Sequence, residues 1–261
     1  MQEVKTLEEH FLYTERLARI SFYYARRYLF GKVPYKTLGE CIRDHTPLLY
    51  HSLFHYEAAT KWSSAPCQAI LARADELSAL PPAEFEERMW EGIRTYSRIR
   101  AEQNYPKAVG VTAPDSWHCG SLTYDPPKGQ PDGWVVFHIA NGVGPHSIFE
   151  DKDYLPCCLR LLMKETEIKY GSNVLTTHTW LNDRPRWLAL FPREWQDNLS
   201  PRDPNALPAW NVGSWGQIIT SRGTVDPKRE QEVRDTGVLK YASRTSHCSF
   251  DSLRRHLDAL S

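Results

Sequence analysis

The chain has no CxxC pair, no Gly-rich loop ending in Lys-Ser/Thr, no GxGxxG fingerprint and no GxSxG turn. A zinc ribbon, a thioredoxin-type dithiol, nucleotide hydrolysis, NAD binding and a serine triad therefore lack the residues their chemistry needs. Neither sign of charge is in excess, with 32 Lys and Arg against 32 Asp and Glu. No global field draws such a molecule to nucleic acid or to an anionic membrane. No run approaches the ~20 apolar residues of a membrane helix. The opening MQEVKTLEEH carries acids where a secretory leader needs a basic end and an apolar stretch. These absences point to a cytoplasmic protein that takes a small-molecule substrate, with no nucleic acid and no membrane as partner.

What is present is an ordinary globular composition, 41% hydrophobic and 25% charged, with 13 Tyr, 9 Phe and 9 Trp. That many aromatics can close a large core, and long disorder is not expected. The six cysteines, at 41, 67, 119, 157, 158 and 248, are scattered and read as reduced, mostly buried thiols. Cys157 and Cys158 fall on an expected helix, where neighbouring side chains diverge by about 100°.

Periodicity divides the chain near residue 105. Residues 6–30 repeat apolar positions at three- and four-residue steps behind Thr6 and Glu9, a capping-box pair. Further helices are expected at 36–44, 47–60, 65–79 and 82–103, punctuated by Pro47, Pro66 and Pro81-Pro82. Residues 1–105 thus form a helical N-terminal region. From 106 to 261 the texture is mixed. Strands are expected at 121–125, 134–140, 173–180 and 215–221, the first two joined by the hairpin loop PPKGQPDG. Helices are expected at 152–170, closed by Gly171, at 185–198 restarting at Pro192, at 227–235 and at 249–260. The segment 227–235 reads as a solvated helix face. The fold class is α+β, a helical layer followed by a mixed, mostly antiparallel sheet.

The order of elements over 119–221 resembles the core of the GNAT acyltransferase superfamily. HIANGVGP at 138–145 before the long helix, and THTWLNDRPRWLALFP at 177–192, add to the likeness. It covers about a hundred residues and leaves the helical third outside. The resemblance implies a GNAT-like helix–strand arrangement and an acyl donor, acyl-coenzyme A or an acyl-carrier thioester. In that superfamily a glycine turn before the long helix offers backbone N–H groups to the donor's pyrophosphate. The corresponding turn here is Asn141-Gly142-Val143-Gly144-Pro145-His146. Gly142 and Gly144 are the cofactor-binding candidates, although Pro145 has no N–H to donate and no Arg or Gln opens the turn.

Side chains suited to chemistry gather in the same region. His118, His138, His146 and His178 stand at strand ends or turns. Strand alternation puts His138 with Trp134 and Val136, and His178 with Val174, Thr176 and Trp180, so pairing of the two runs would bring both imidazoles together. Histidine is the natural base at neutral pH. His138 is the first candidate and His178 the second, with His146 as a further catalytic candidate. His118, His138, His146 and His178 with Asp151, or with Glu150 or Asp153, also make a ligand set for a divalent metal, though His138-x7-His146 matches no established spacing. His51 and His55 lie one helical turn apart without the Glu of a zincin motif. Asn141, Trp180, Asn182, Trp215 and Gln217 are the candidate substrate-binding groups, within a wider set that includes Asp183, Trp187, Trp195 and Trp210. Each histidine alone also suits a turn or a buried hydrogen bond, and each Trp alone suits core packing.

Three functions fit these residues. The first is a small-molecule enzyme of acyltransferase type with a degenerate acyl-carrier loop and a histidine base, its partners extending to an acyl-carrier protein or a second copy of the chain. The second is a metal-dependent hydrolase, lyase or oxygenase. The third is a non-catalytic binding or assembly protein with an aromatic interface.

Overall fold

Helix α1 (Leu7–Tyr24) starts where its capping box predicts. Thr6 Oγ1 accepts the Glu9 N–H at 3.1 Å, and the Glu9 carboxylate accepts the Thr6 N–H at 2.7 Å. The computed structural model describes residues 5–260 apart from 33, 35–36, 49–64, 109–118, 204 and 210–211. His51, His55, His118 and Trp210 thus lie outside the described residues, as does nearly all of the helix expected at 47–60.

The remaining elements follow in chain order: α2 (Leu38–His45), α3 (Ala65–Glu76), α4 (Pro82–Ala108), β1 (Leu122–Tyr124), β2 (Trp134–Ile139), α5 (Tyr154–Tyr170) and β3 (Val174–Thr179). After β3 come α6 (Pro185–Leu188), α7 (Arg193–Asp197), α8 (Val212–Trp215), α9 (Pro227–Thr236), β4 (Arg244–Ser249) and α10 (Phe250–Leu260). The fold is α+β. Among the described residues no helix is long and apolar enough to cross a membrane. The six cysteines are free thiols, and all but Cys157 are buried.

Two compact units emerge, Met1–Gly110 with Leu207–Lys240, and Val111–Ala206 with Tyr241–Ser261. Residues 207–240, expected in the second region, therefore belong to the helical unit. Its core packs Phe11 against Trp90 and Phe22 edge-on to Phe85, joining α1 to α4. The run 215–221 is not a strand. Trp215 ends α8, a 3-10 turn follows over Gly216–Ile218, and a single bridge, Ile219↔Val225, is all the pairing it makes. Trp215 and Ile218, three residues apart, are both buried, a spacing that a tight helix satisfies and a strand does not. Helix α9 also departs from a purely solvated face, because Glu230 and Val233 are buried.

The second unit is built on a four-stranded sheet in the order β1-β2-β3-β4. β1 and β2 form the expected antiparallel hairpin, β2 and β3 run parallel through the α5 crossover, and β3 pairs antiparallel with β4. One face carries Val135, Phe137, Leu175 and Cys248 into a core shared with Leu155, Leu159, Leu162 and Met163 of α5. These four form the apolar stripe of α5, and Gly171 closes the helix as expected, in the left-handed region at φ 66°. The helix expected at 185–198 breaks into α6 and α7, with Pro192 as N-cap of the second. Strand β4 was not anticipated: RTSHCS has little β-propensity, and it is held by pairing with β3.

Candidate functional site

The opposite face of this sheet carries the first two histidine candidates. Strand alternation places Trp134, Val136 and His138 of β2 on this face. Register places Val174, Thr176 and His178 of β3 beside them, with Ser249, His247 and Thr245 of β4 on the far side. His138, His178 and Thr245 are exposed, while Trp134, Val136 and His247 are half-buried. His247, absent from the sequence-based candidates, packs against Trp134 at 4.6 Å between ring centroids.

The β2–β3 ladder ends at Val136↔Thr176, although both strands run three residues further. The next link is a side-chain one, from Thr177 Oγ1 to the Phe137 carbonyl at 2.7 Å. His138 and His178 therefore occupy adjacent strands, on one face, just past the last ladder pair. In the same row, Thr123 is the partner of His138 on β1 and Thr245 the partner of His178 on β4.

Each imidazole is held from a neighbouring strand. His138 Nε2 meets Asp125 Oδ2 at 2.7 Å, and His178 Nδ1 meets Thr245 Oγ1 at 2.9 Å. With Asp125 accepting the Nε2–H, the Nδ1 lone pair of His138 is left as the basic atom. Packed atoms around the His178 ring lower its pKa by desolvation even though the residue lies at the exposed face. A neutral imidazole at neutral pH results, which is the form a base requires. The buried thiols are poor nucleophiles by comparison: burial pushes Cys119 up to about 11 and Cys248 higher still.

Asp125 was missed as a functional candidate. Its signal lies in the hairpin, because a residue diagonal to a cross-strand position comes within reach of a long or ring side chain.

Other candidates are placed differently. Asn182 is fully buried, its Oδ1 accepting the indole N–H of both Trp187 and Trp195 and its Nδ2 donating to the carbonyls of Thr177 and Arg244. It has no hydrogen-bonding capacity left for a substrate, and Trp187 and Trp195 are core residues. Trp215 and Gln217 are buried within the helical unit, where Trp215 donates to the His45 carbonyl and sets its ring edge-on to Tyr24. Among the described residues of the second unit, the indoles outside the core are the half-buried Trp134 and Trp180.

The turn after β2 is closed on itself. The Gly142 N–H donates to Ser121 Oγ at 2.9 Å, Val143 N–H to Asn141 Oδ1 at 3.2 Å and His146 N–H to the Val143 carbonyl at 3.0 Å. Asn141 Nδ2 binds the His146 carbonyl. A Cβ at Gly142 would come 3.1 Å from Ser121 Oγ, so this glycine serves close packing on the β1 side. The Gly142, Val143 and His146 amides are thus committed within the protein and Pro145 has none to give, so the turn offers a pyrophosphate little of the N–H cradle expected of it.

His146 Nδ1 pairs with Glu150 at 2.9 Å, and Asp151 accepts the Asp153 N–H. Among the described residues no three His, Cys, Asp or Glu side chains converge on a point where a metal could sit. The metal set built on His138, His146, His178 and Asp151 is therefore not assembled, and His118 lies outside the described residues.

No protein-family model matches the chain, and neither curated proteins nor solved structures include a significant match to it.

Proposed function

We propose that the second unit is an acyltransferase-like module acting on a small molecule, with His138 as general base, Asp125 as its positioning residue and His178 as a second neutral imidazole. The observation that carries this assignment is the parallel β2–β3 pair. It is joined through α5, flanked by antiparallel β1 and β4, and its ladder stops two residues before the two histidines. The GNAT superfamily, which the region resembles, admits its acyl-carrier arm at a parallel strand pair joined through a helix in this way. An acyl thioester, on coenzyme A or on an acyl-carrier protein, is the donor class. His138 Nδ1 removes the proton from an amine or hydroxyl acceptor as it becomes the nucleophile. The five buried free thiols fit a reducing, cytoplasmic setting.

The test is acceptor-dependent release of free thiol from acetyl-coenzyme A or acetyl-pantetheine across a panel of small amines and alcohols. A positioned base contributes about 10²–10⁴-fold, so His138→Gln should lower turnover at least about a hundredfold. Thiol release that no acceptor stimulates, or that His138→Gln leaves intact, removes the assignment.

A further inference from the structure

Arginines in the second unit are mostly neutralised. Arg160, Arg193, Arg202, Arg244 and Arg254 each meet a carboxylate. Arg184 and Arg186 meet none among the described residues, yet both are held in place. The Arg184 guanidinium lies over three rings, 5.8 Å from the centroid of Phe149, 5.7 Å from Trp180 and 5.4 Å from Tyr241. Trp180 and Tyr241 stack on each other at 5.8 Å. Arg186 lies 5.3 Å from the same Phe149 ring and donates to the Phe149 carbonyl.

Aromatic faces attract a guanidinium and hold it in place, but its in-plane N–H donors still require acceptors. The acids that adjoin the cluster in sequence, Asp183 beside Arg184 and Glu150 beside Phe149, are already engaged. Asp183 takes Arg202, Arg244 and the Ala242 N–H, and Glu150 takes His146. Two cations fixed around one ring without a counter-charge repel each other, and a doubly charged anion relieves that repulsion.

The location matches. Phe149 lies between β2 and α5, Trp180, Arg184 and Arg186 follow β3, and Tyr241 precedes β4. The cluster thus gathers beyond the carboxyl ends of the parallel pair, where open sheets receive their ligands. Trp180 is two residues past His178, about 7 Å along an extended chain.

We infer that Arg184 and Arg186 form a phosphate-binding subsite that holds the phosphate of the acyl donor, in place of the self-bonded Gly142–Gly144 turn. The donor's identity rests on the acyl-transfer assignment, whereas the anion site rests on the arginines alone. Two guanidinium groups match a phosphate or pyrophosphate better than a single carboxylate.

Isothermal titration of the full chain with inorganic pyrophosphate, coenzyme A and pantetheine tests this. Pyrophosphate and coenzyme A should bind, and pantetheine, which has no phosphate, should bind at least about tenfold more weakly. R184Q and R186Q should each weaken pyrophosphate about tenfold, as loss of a charged hydrogen bond does. R255Q, at an exposed arginine on α10, should not. Arg186 is exposed, so R186Q keeps the test decisive if R184Q fails to fold. Absence of pyrophosphate binding, or binding undiminished in R186Q and in R184Q/R186Q, overturns the subsite and leaves acyl transfer to the thiol-release assay. Pyrophosphate binding that needs both arginines, with no thioester turned over, upholds the subsite and removes the acyl-transfer assignment.

Discussion

Asp125 reaches His138 across the β1–β2 hairpin, Oδ2 to Nε2 at 2.7 Å, from a position diagonal to it rather than opposite. Both side chains are more than half exposed, at 62% and 52%, so the pair contributes little to stability, on the order of 0–1 kcal/mol. Its consequence is orientation of the ring.

Asp125→Asn should therefore shift the thermal midpoint by no more than about 3 °C while lowering kcat about tenfold with KM nearly unchanged. That split marks an interaction made in the transition state rather than in substrate binding. Equal loss in kcat and in stability would mean that the carboxylate only braces the hairpin.

Asn182 gives a prediction of the opposite kind. Its amide joins two indoles to the carbonyls of β3 and of β4, and each of the four bonds is buried or partly so. Asn182→Ala strands all of these groups, and at about 1–3 kcal/mol for a buried unsatisfied group the loss should reach about 3 kcal/mol or more. Asn182→Asp keeps the acceptor for the indoles but sets a carboxylate against two carbonyl oxygens. Its folded-state pKa should rise above the unfolded value, so the variant is less destabilised in acid and worsens as pH rises through that folded pKa. Urea midpoints at pH 4.5 and pH 8 distinguish the two. An Asn182→Asp variant no weaker at pH 8 than at pH 4.5, relative to the parent, would contradict the buried amide knot.

The same residue shows where sequence stops being informative. WLND with its neighbouring tryptophans reads as a ligand pocket because indoles and amides serve binding and core packing alike, and only burial separates the two uses. Periodicity located α1, α5 and the β1–β2 hairpin because one apolar face recurs at the period of its element. It failed for β4, whose inward positions are the small Ser246 and Cys248, and for 215–221, where β-branched residues suggest a strand that tertiary packing winds into a turn. His138 and His178 on one face follow from alternation plus pairing, but Asp125 needed the register, which no single strand contains. The Arg184 brace draws on three segments far apart in sequence.

His178 predicts a pH dependence. Desolvation holds its pKa in the folded protein below the ordinary 6.5, so in the window below 6.5 the unfolded chain binds more protons than the folded one. Stability is unaffected by this residue above that window and falls as pH drops through it, levelling once the folded imidazole is also charged. His178→Gln removes the effect, and the other histidines cancel when variant and parent are compared at each pH. The parent should thus lose stability relative to His178→Gln between pH 7.5 and pH 5, read from urea midpoints. A difference independent of pH would show that the ring is as well solvated in the native state as in the unfolded chain.

In the helical unit, stability turns on which charge of one network is removed. Glu86 accepts Arg234 through two bonds of 2.7 and 2.9 Å and Arg19 at 3.0 Å, while Glu230 accepts Arg234 at 3.0 Å and Arg16 at 2.6 Å. The network ties α9 to α1 and α4, and the two carboxylates are its most buried members, with 7% and 8% of their side-chain surface exposed. Glu86→Gln leaves Arg19 and Arg234 facing each other without their shared anion, and loss of one partner from a buried pair costs about 3 kcal/mol. Arg234→Met should cost less, about 1 kcal/mol, because Glu86 keeps Arg19, Glu230 keeps Arg16 and no buried charge is orphaned. Chemical denaturation of both variants measures the order. If Arg234→Met is the more damaging, the arginine acts by packing its alkyl stem on the Tyr23 ring, over which its guanidinium lies at 5.0 Å, and the charges contribute little.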